Sequence, residues 1–533
     1  MGWLGFLQVT RICTRNLKIF KFYKSLRNVI VILHKEKEVM MRMLKKFLSL
    51  IIVCVLLVSM FTACSGQEVK EEEKKELIRL TWYQIGEKQK DADRVLEKVN
   101  AYIGEKIGVE LTIRYVGWGD YNEKMQAVIN TGDQWDLCFT SSWANDFMQN
   151  ANKGVYLALD DLIRDTEMYQ NIDPRFWEAA TVKGKIYGVP SEKEITNMPM
   201  WVFTKEYVDK YNIPYETLHS LEDLEPWLQL IAEKEPDVVP LYATKDYSAP
   251  VYMDLIQDPV GIEYSDGSLA VKNIFETEKM QKTLKTMRKY YEAGYVNADA
   301  ASASDDDSVK RFVTKGDGQP YAEVTWGKDL GYEVVTSPIM EASITNASAQ
   351  GALTAVNAES KHPEKAVELL NLINTDLYLR NLLNYGIEGE HWEKVEVPEE
   401  ELQAAKGKPY VYEYRVRLTE KSSEYSVPYW VQGGLFNTYV LENEPVDKWA
   451  TFKQFNDTAS EAASFGFDFD LEPVSAQVSA FRSILDEYGK ALYTGSVDPD
   501  KYLPQLLKKL KGAGVEQVEK EMERQVALWK KEK

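Results

Sequence analysis

The chain has 533 residues, a formal net charge of −19 and 44% hydrophobic residues. That length exceeds a single ordinary core, so two or more domains are expected. So acidic a chain repels phosphate backbones, which argues against nucleic acid as a partner.

The charge is unevenly divided. Residues 1–63 carry 11 Lys/Arg against 2 Asp/Glu, which leaves −28 for the 470 residues that follow. Residues 1–39 fit no export signal and are expected not to belong to the protein. Lys37-Glu38-Val39 can be encoded as a ribosome-binding sequence just ahead of Met41 and Met43, one of which would be the start. From Met43 the chain reads as a secretory signal: Lys45-Lys46, the apolar run Phe47 to Phe61, then small residues. The run is short for a hydrocarbon core about 30 Å thick, so cleavage is expected rather than a retained anchor helix. Phe61-Thr62-Ala63-Cys64, followed by Ser65-Gly66, resembles the lipobox of bacterial lipoproteins, with Phe61 where Leu is usual. That resemblance implies that Cys64 is acylated and becomes the new N-terminus, tethering the body to membrane lipid outside the cytoplasm. Residues 65–75 then form a charged linker with a reach of roughly 17–20 Å.

Beyond the linker, Leu77–Tyr83 reads as a strand, and Val95, Leu96, Val99 and Ile103 mark one face of a helix. Val109, Leu111, Ile113 and Tyr115 alternate with polar residues as a half-buried strand. A helix with Tyr121, Met125, Val128 and Ile129 follows, closed at Thr131-Gly132-Asp133, and Trp135–Thr140 is the next strand. This alternation predicts right-handed crossovers and a mainly parallel sheet. Lys183-Gly184 marks a turn, and Pro363 opens a helix with Ala366, Leu369, Leu370 and Ile373 inward. Near the end, Val474, Val478, Phe481, Leu485, Tyr488 and Leu492 form one continuous stripe that Gly495 stops. Val515, Val518, Met522, Val526 and Trp529 repeat the pattern. Both stripes are expected to pack on the protein's own body rather than on a coiled-coil partner.

After removal of the leader and acylation of Cys64, Cys138 stands alone in an apolar strand, so a disulfide framework is not expected. No CxxC or HExxH occurs, and His219, His362 and His391 are scattered, so neither a zinc site nor another cofactor is expected. Asp305-Asp306-Asp307 lacks the alternating oxygens and distal glutamate of a calcium loop and reads as solvated. There is no GxSxG and no GxxxxGK[ST], so no local motif supports catalysis. A glycosidase, whose two carboxylates are set by fold rather than spacing, stays a less favoured alternative.

Several pieces, in this order, resemble the extracellular solute-binding lipoproteins of bacterial carbohydrate ABC importers. They are Asp136-Leu-Cys-Phe-Thr-Ser-Ser-Trp143, Gly184-Lys-Ile-Tyr-Gly-Val-Pro190, Lys361-His-Pro-Glu-Lys-Ala366 and Tyr385-Gly-Ile-Glu-Gly-Glu-His-Trp392. The tail from Phe465 to Leu503 resembles a C-terminal module of unknown function found in one subgroup. The resemblance implies a type II, two-lobed periplasmic-binding-protein-like α/β fold. Each lobe would be a mainly parallel sheet flanked by helices. Lobe one would hold residues 76–193 and 352–392, lobe two 194–351 and 393–470, and a helical module 471–533. It also implies a function: capture of a carbohydrate, an oligosaccharide, between the lobes and delivery to permease subunits in the membrane. A tethered sensor or a peptide-binding protein is the alternative.

Sugar sites join aromatic faces with hydrogen-bonding groups. Thirteen Trp and 31 Tyr exceed what a core of this size requires. Ligands of open α/β sheets lie beyond the carboxyl ends of strands. That rule selects Gln84, then Ser141, Ser142 and Trp143, then Ser191-Glu192. Ser141 could instead cap the next helix. Trp326, Glu388 with Trp392, and Trp430 ahead of Gly433-Gly434 are further candidates. The double glycine would let backbone approach a ligand, or only make a turn.

Overall fold

The computed structural model describes residues 76–532 apart from Asn197. The expected leader, Cys64 acylation and linker lie outside the described residues. Among the described residues, no helix is long and apolar enough to cross a membrane.

The first sheet has five strands in the order Val109–Val116, Ile78–Ile85, Leu137–Thr140, Leu353–Val356, Val189–Pro190. The first three are parallel, with Ile78 opposite Val109 and Trp82 opposite Leu137. The crossover helix Ala92–Ile107 buries Val95, Val99 and Ile103 at the expected spacing and stops at Gly108, whose φ is 69°. The second crossover helix, Tyr121–Thr131, buries Tyr121, Met125 and Val128. Leu353–Val356 enters from a distant part of the chain and runs antiparallel to Leu137–Thr140. Cys138 is fully buried in this core, and burial pushes its thiol well up, so it is a small apolar residue rather than a nucleophile.

The second sheet runs Val334–Pro338, Pro199–Thr204, Arg311–Asp317, Val239–Leu241. Within the two-lobed α/β class, this sheet departs from the expected parallel arrangement. Pro199–Thr204 is antiparallel to both neighbours, and the parallel pairing is Arg311–Asp317 with Val239–Leu241. The reason is where the chain enters. Pro199 follows the segment arriving from the first sheet, so its strand starts at that end, whereas Arg311–Asp317 finishes there with Asp317 opposite Pro199. Trp201, Phe203, Leu228 and Phe312 fill a separate second core.

Three segments link the sheets and are bonded to one another. Ser348 donates to the Ile195 carbonyl at 2.6 Å, within a turn where Thr345 and Ser348 cap each other reciprocally. The buried Asn456 side chain accepts from Ile195 N at 2.9 Å and donates to the Lys193 carbonyl at 2.7 Å. Ser343–Ile344 pairs in parallel with Ser460–Glu461.

Residues 393–470, grouped above with the second lobe, make much of their packing against the first. Tyr425, Val431 and Phe465 are buried in the first core. Helix Leu377–Tyr385 explains this, because Leu379 through Asn384 are all buried and need cover on both sides. Arg380, fully buried there, donates to the carbonyls of Tyr429, Gly433 and Gly434.

The C-terminal module has three helices, Ser475–Tyr493, Pro499–Ala513 and Val515–Glu532. Val474, Phe481, Tyr488 and Leu492 are buried, as are Val515, Val518, Met522 and Val526. They share a third core with the small antiparallel sheet of Met253–Gln257 and Val260–Glu263 and with helix Glu278–Glu292. The middle helix, absent from the sequence reading, contributes Leu503, Leu506 and Leu510 to the same core.

Candidate functional site

The carboxyl ends of the parallel strands of the first sheet, and of Arg311–Asp317 and Val334–Pro338 in the second, lie on the side of the linking segments. In the first sheet, Thr140 pairs with Leu353 just beyond the second link, and Pro190 leads into the first. Side chains from the loops at these ends therefore gather where the lobes meet.

Three tryptophans form a platform there. Trp143 follows Leu137–Thr140, Trp118 follows Val109–Val116, and Trp430 sits in the turn Tyr429–Val431. Ring centroids are 6.2 Å apart for Trp118 and Trp143, 5.9 Å for Trp118 and Trp430, and 5.9 Å for Trp143 and Trp430. Buried Phe139 supports Trp143 and Trp430 from below at 5.7 and 6.0 Å. Trp118 and Trp143 are 46% and 49% exposed, unusual for rings already packed together. A half-wet aromatic cluster of this kind offers a face to an amphipathic ligand. Trp143 is held in place by its Nε1, which donates to the Gly351 carbonyl at 2.9 Å.

The predicted residues divide. Trp143 and Trp430 meet in the platform. Ser142 is exposed beside them and donates to the Ala347 carbonyl at 2.9 Å. Ser141 is fully buried, and its Oγ accepts from the backbone of Ala144 at 2.8 Å, so it closes the loop rather than meeting a ligand. Gln84 is also buried, its Oε1 accepting from Gln432 at 3.4 Å. Both amides keep one unpartnered atom, Gln84 Nε2 and Gln432 Oε1. Glu192 is buried beneath the link, where its carboxylate accepts from Asp173 N at 3.2 Å; burial pushes its carboxyl up to about 8.

Trp392 is a correction. It is 3% exposed, its Nε1 donates to the Gly386 carbonyl at 2.8 Å, and it packs on Tyr385 and Tyr439 as a core residue. Glu388 lies on the surface in an ion pair with Lys394 at 3.0 Å. The double glycine approaches the protein itself: a Cβ on Gly433 would come within 2.9 Å of Ile373, and Gly434 N donates to Asn374 at 2.9 Å.

In the second lobe, a cavity of about 540 Å³ is lined by the segment after Val239–Leu241 and by residues along Arg311–Asp317. Trp326 lines it together with Tyr242, Asp246, Asp305, Arg311 and Lys315. Trp326 lies so close to Gly316 that a Cβ there would meet its ring at 3.0 Å. The Lys315 amine donates to Ser248 Oγ at 3.2 Å, and burial pushes its pKa down. Among the described residues, no group of His, Cys, Asp and Glu is arranged to hold a metal ion.

Sequence reasoning missed Trp118, although Gly117-Trp118-Gly119 stands at the carboxyl end of a strand, where the same rule should have selected it. Tyr242 and Lys315 carried no comparable signal, because the strand Arg311–Asp317 that holds Lys315 meets Val239–Leu241, which Tyr242 follows, only by the pairing of strands distant in the chain.

Residues 98–385 match the family model described as bacterial extracellular solute-binding protein, and residues 463–531 match a domain of unknown function, DUF3502. A Streptococcus pneumoniae serotype 4 (strain TIGR4) protein described as a carbohydrate ABC transporter substrate-binding protein is 32% identical over 83% of this chain and 89% of its own. Lipoprotein LipO of Bacillus subtilis (strain 168) is 22% identical over 66% of this chain and 74% of its own. Among solved structures, the N-glycan transport solute-binding protein NgtS of Streptococcus pneumoniae is 32% identical. It superposes with a TM-score of 0.75 over 84% of this chain and 98% of its own. Its complex with Man5GlcNAc superposes with a TM-score of 0.67 over 86% and 99%.

Proposed function

Since the chain belongs to the bacterial extracellular solute-binding family, we propose that it captures an oligosaccharide between its lobes and delivers it to an ABC importer. The observation that carries this reading is the half-exposed platform of Trp118, Trp143 and Trp430 beside the links between the sheets. Stacked indole faces cover the C–H side of a pyranose, while exposed polar groups of the cavity across the links meet its hydroxyls. The glycan named in the NgtS complex supports an oligosaccharide of mannose and N-acetylglucosamine as the first ligand to try. Binding is the whole of the work: the ligand favours a closed arrangement of the lobes through its higher affinity for that state, and no bond is made or broken. Calorimetric titration with such oligosaccharides tests capture. An assay for new reducing ends in the same mixtures tests the absence of hydrolysis. Titration heats indistinguishable from buffer across neutral mono- and oligosaccharides would overturn the reading.

The anchor belongs to the same proposal. Acyl chains on Cys64 would hold the protein at the outer face of the cell membrane, because two or more chains bind durably where one binds marginally. Mass spectrometry of the mature membrane-bound protein should find Cys64 acylated, and Cys64→Ser should leave an unacylated precursor. An unmodified Cys64 in that fraction would remove the anchor.

A further inference from the structure

Resting on that reading, we propose that the site selects uncharged glycans. Asp246, Asp307 and Asp329, at the rim of the second-lobe cavity, turn away oligosaccharides that carry carboxylates. The lining of the cavity includes four carboxylates, Asp246, Asp305, Asp307 and Asp329, against two cations, Arg311 and Lys315.

The Arg311 guanidinium is not free to receive an anion. Arg311 is 5% exposed; its Nε donates to the Val309 carbonyl at 3.1 Å and its Nη1 to Asp305 at 3.2 Å. Its Nη2 donates to the Asp306 carbonyl, and its guanidinium lies 4.0 Å from the centre of the Tyr242 ring. The fork that would grip a carboxylate is thus already occupied by the protein. Lys315 donates to Ser248 Oγ at 3.2 Å, so one ammonium is set against the three aspartates at the rim. At the link between the lobes, Lys193 is committed to Glu194 at 2.5 Å.

The three rim aspartates are exposed and form no ion pair with a described residue. The tryptophan platform of the first lobe is made of uncharged rings, so it supplies no cation to offset them. A sugar carboxylate entering here meets an excess of like charge, whereas a neutral hydroxyl finds exposed acceptors. The strongly acidic body adds to the same field at longer range.

The test is a pair of glycans of equal length built on mannose and N-acetylglucosamine, one neutral and one ending in a sialic acid, titrated into the purified body. Measurements are made at low salt, where the screening length is about 30 Å, and at physiological salt, where it is about 8 Å. The acidic glycan should bind at least about tenfold more weakly at low salt, and the gap should narrow at physiological salt. It should narrow again in the triple variant D246N/D307N/D329N, with a melting curve to confirm folding and D329N alone as the fallback. Equal affinity for the two glycans would overturn charge selection while leaving glycan capture intact. A gap that persists unchanged in a folded variant would overturn the assignment to these aspartates. Failure of both glycans to bind would overturn the proposed function, and charge selection with it.

Discussion

Trp143 leaves nearly half its surface in solvent at 49% exposure, while Trp392 is 3% exposed and bonded to the Gly386 carbonyl. Removing each indole should therefore report on different things. Trp143→Ala should weaken glycan binding at least tenfold, about 1.4 kcal/mol, with little change in melting temperature. Trp392→Ala should cost about 3–5 kcal/mol of stability while the remaining folded protein binds normally. Titration beside a melting curve distinguishes the two, and a large melting shift for Trp143→Ala would make it a core residue. Glu192 carries a separate consequence. Burial raises its folded pKa to about 8, against about 4.3 for an unfolded glutamate. Between those values the folded chain holds a proton that the unfolded chain has released. The group's stabilisation is therefore present at low pH and is lost as pH climbs from about 4.3 toward the folded value. Glu192→Gln removes that dependence, so its melting temperature should fall less between pH 5 and pH 8 than that of the natural protein. Parallel slopes would show that the carboxyl ionises freely in the folded state.

Among the elements, the C-terminal helices were expected to pack on the protein's own body, but the stripe pattern did not say on which part of it. They pack on the protein's own small sheet and on helix Glu278–Glu292. Gly495 is the point of closest approach: its φ is 73°, and a Cβ there would stand 2.3 Å from the Met287 carbonyl oxygen. Arg288 then donates to the carbonyls of Gly495 and Ser496, both at 3.2 Å. Gly495→Ala combines backbone strain with a clash against backbone, and should destabilise the body by more than about 1 kcal/mol. Chemical denaturation would show this as a lower midpoint for the whole transition. An unchanged midpoint would mean that the helix end does not dock as described.

At the scale of the molecule, the links around Lys193–Ile195, Thr345–Gly351 and Asn456–Glu461 are held together by hydrogen bonds and strand pairing. Such an arrangement concentrates bending in a few backbone torsions and leaves each core intact. Small-angle scattering should therefore give a smaller radius of gyration at saturation with glycan than without it. An identical profile at proven saturation would describe a rigid binder.

Periodicity along the chain was sufficient for the first sheet's helices and strands, because Val95, Val99 and Ile103 or Val109 and Leu111 repeat at spacings that local geometry imposes. The same reasoning placed Trp143 at a strand's carboxyl end, since a βαβ succession determines which way its strands point. Short pieces in order were enough to reach the family. What the chain order could not carry were meetings between distant segments. Trp430 joins Trp143 and Trp118 only because helix Leu377–Tyr385 must be covered on both sides, which draws Tyr425 and Val431 onto the first lobe. Trp392 went the other way, its indole buried between Tyr385 and Tyr439 by a hairpin whose partner strand, Tyr414–Leu418, lies well downstream. The type of a side chain, its local spacing and its charge are properties of the sequence. Whether an indole ends in solvent or in a core depends on which remote surface arrives to cover it, and that is settled only when the tertiary contacts form.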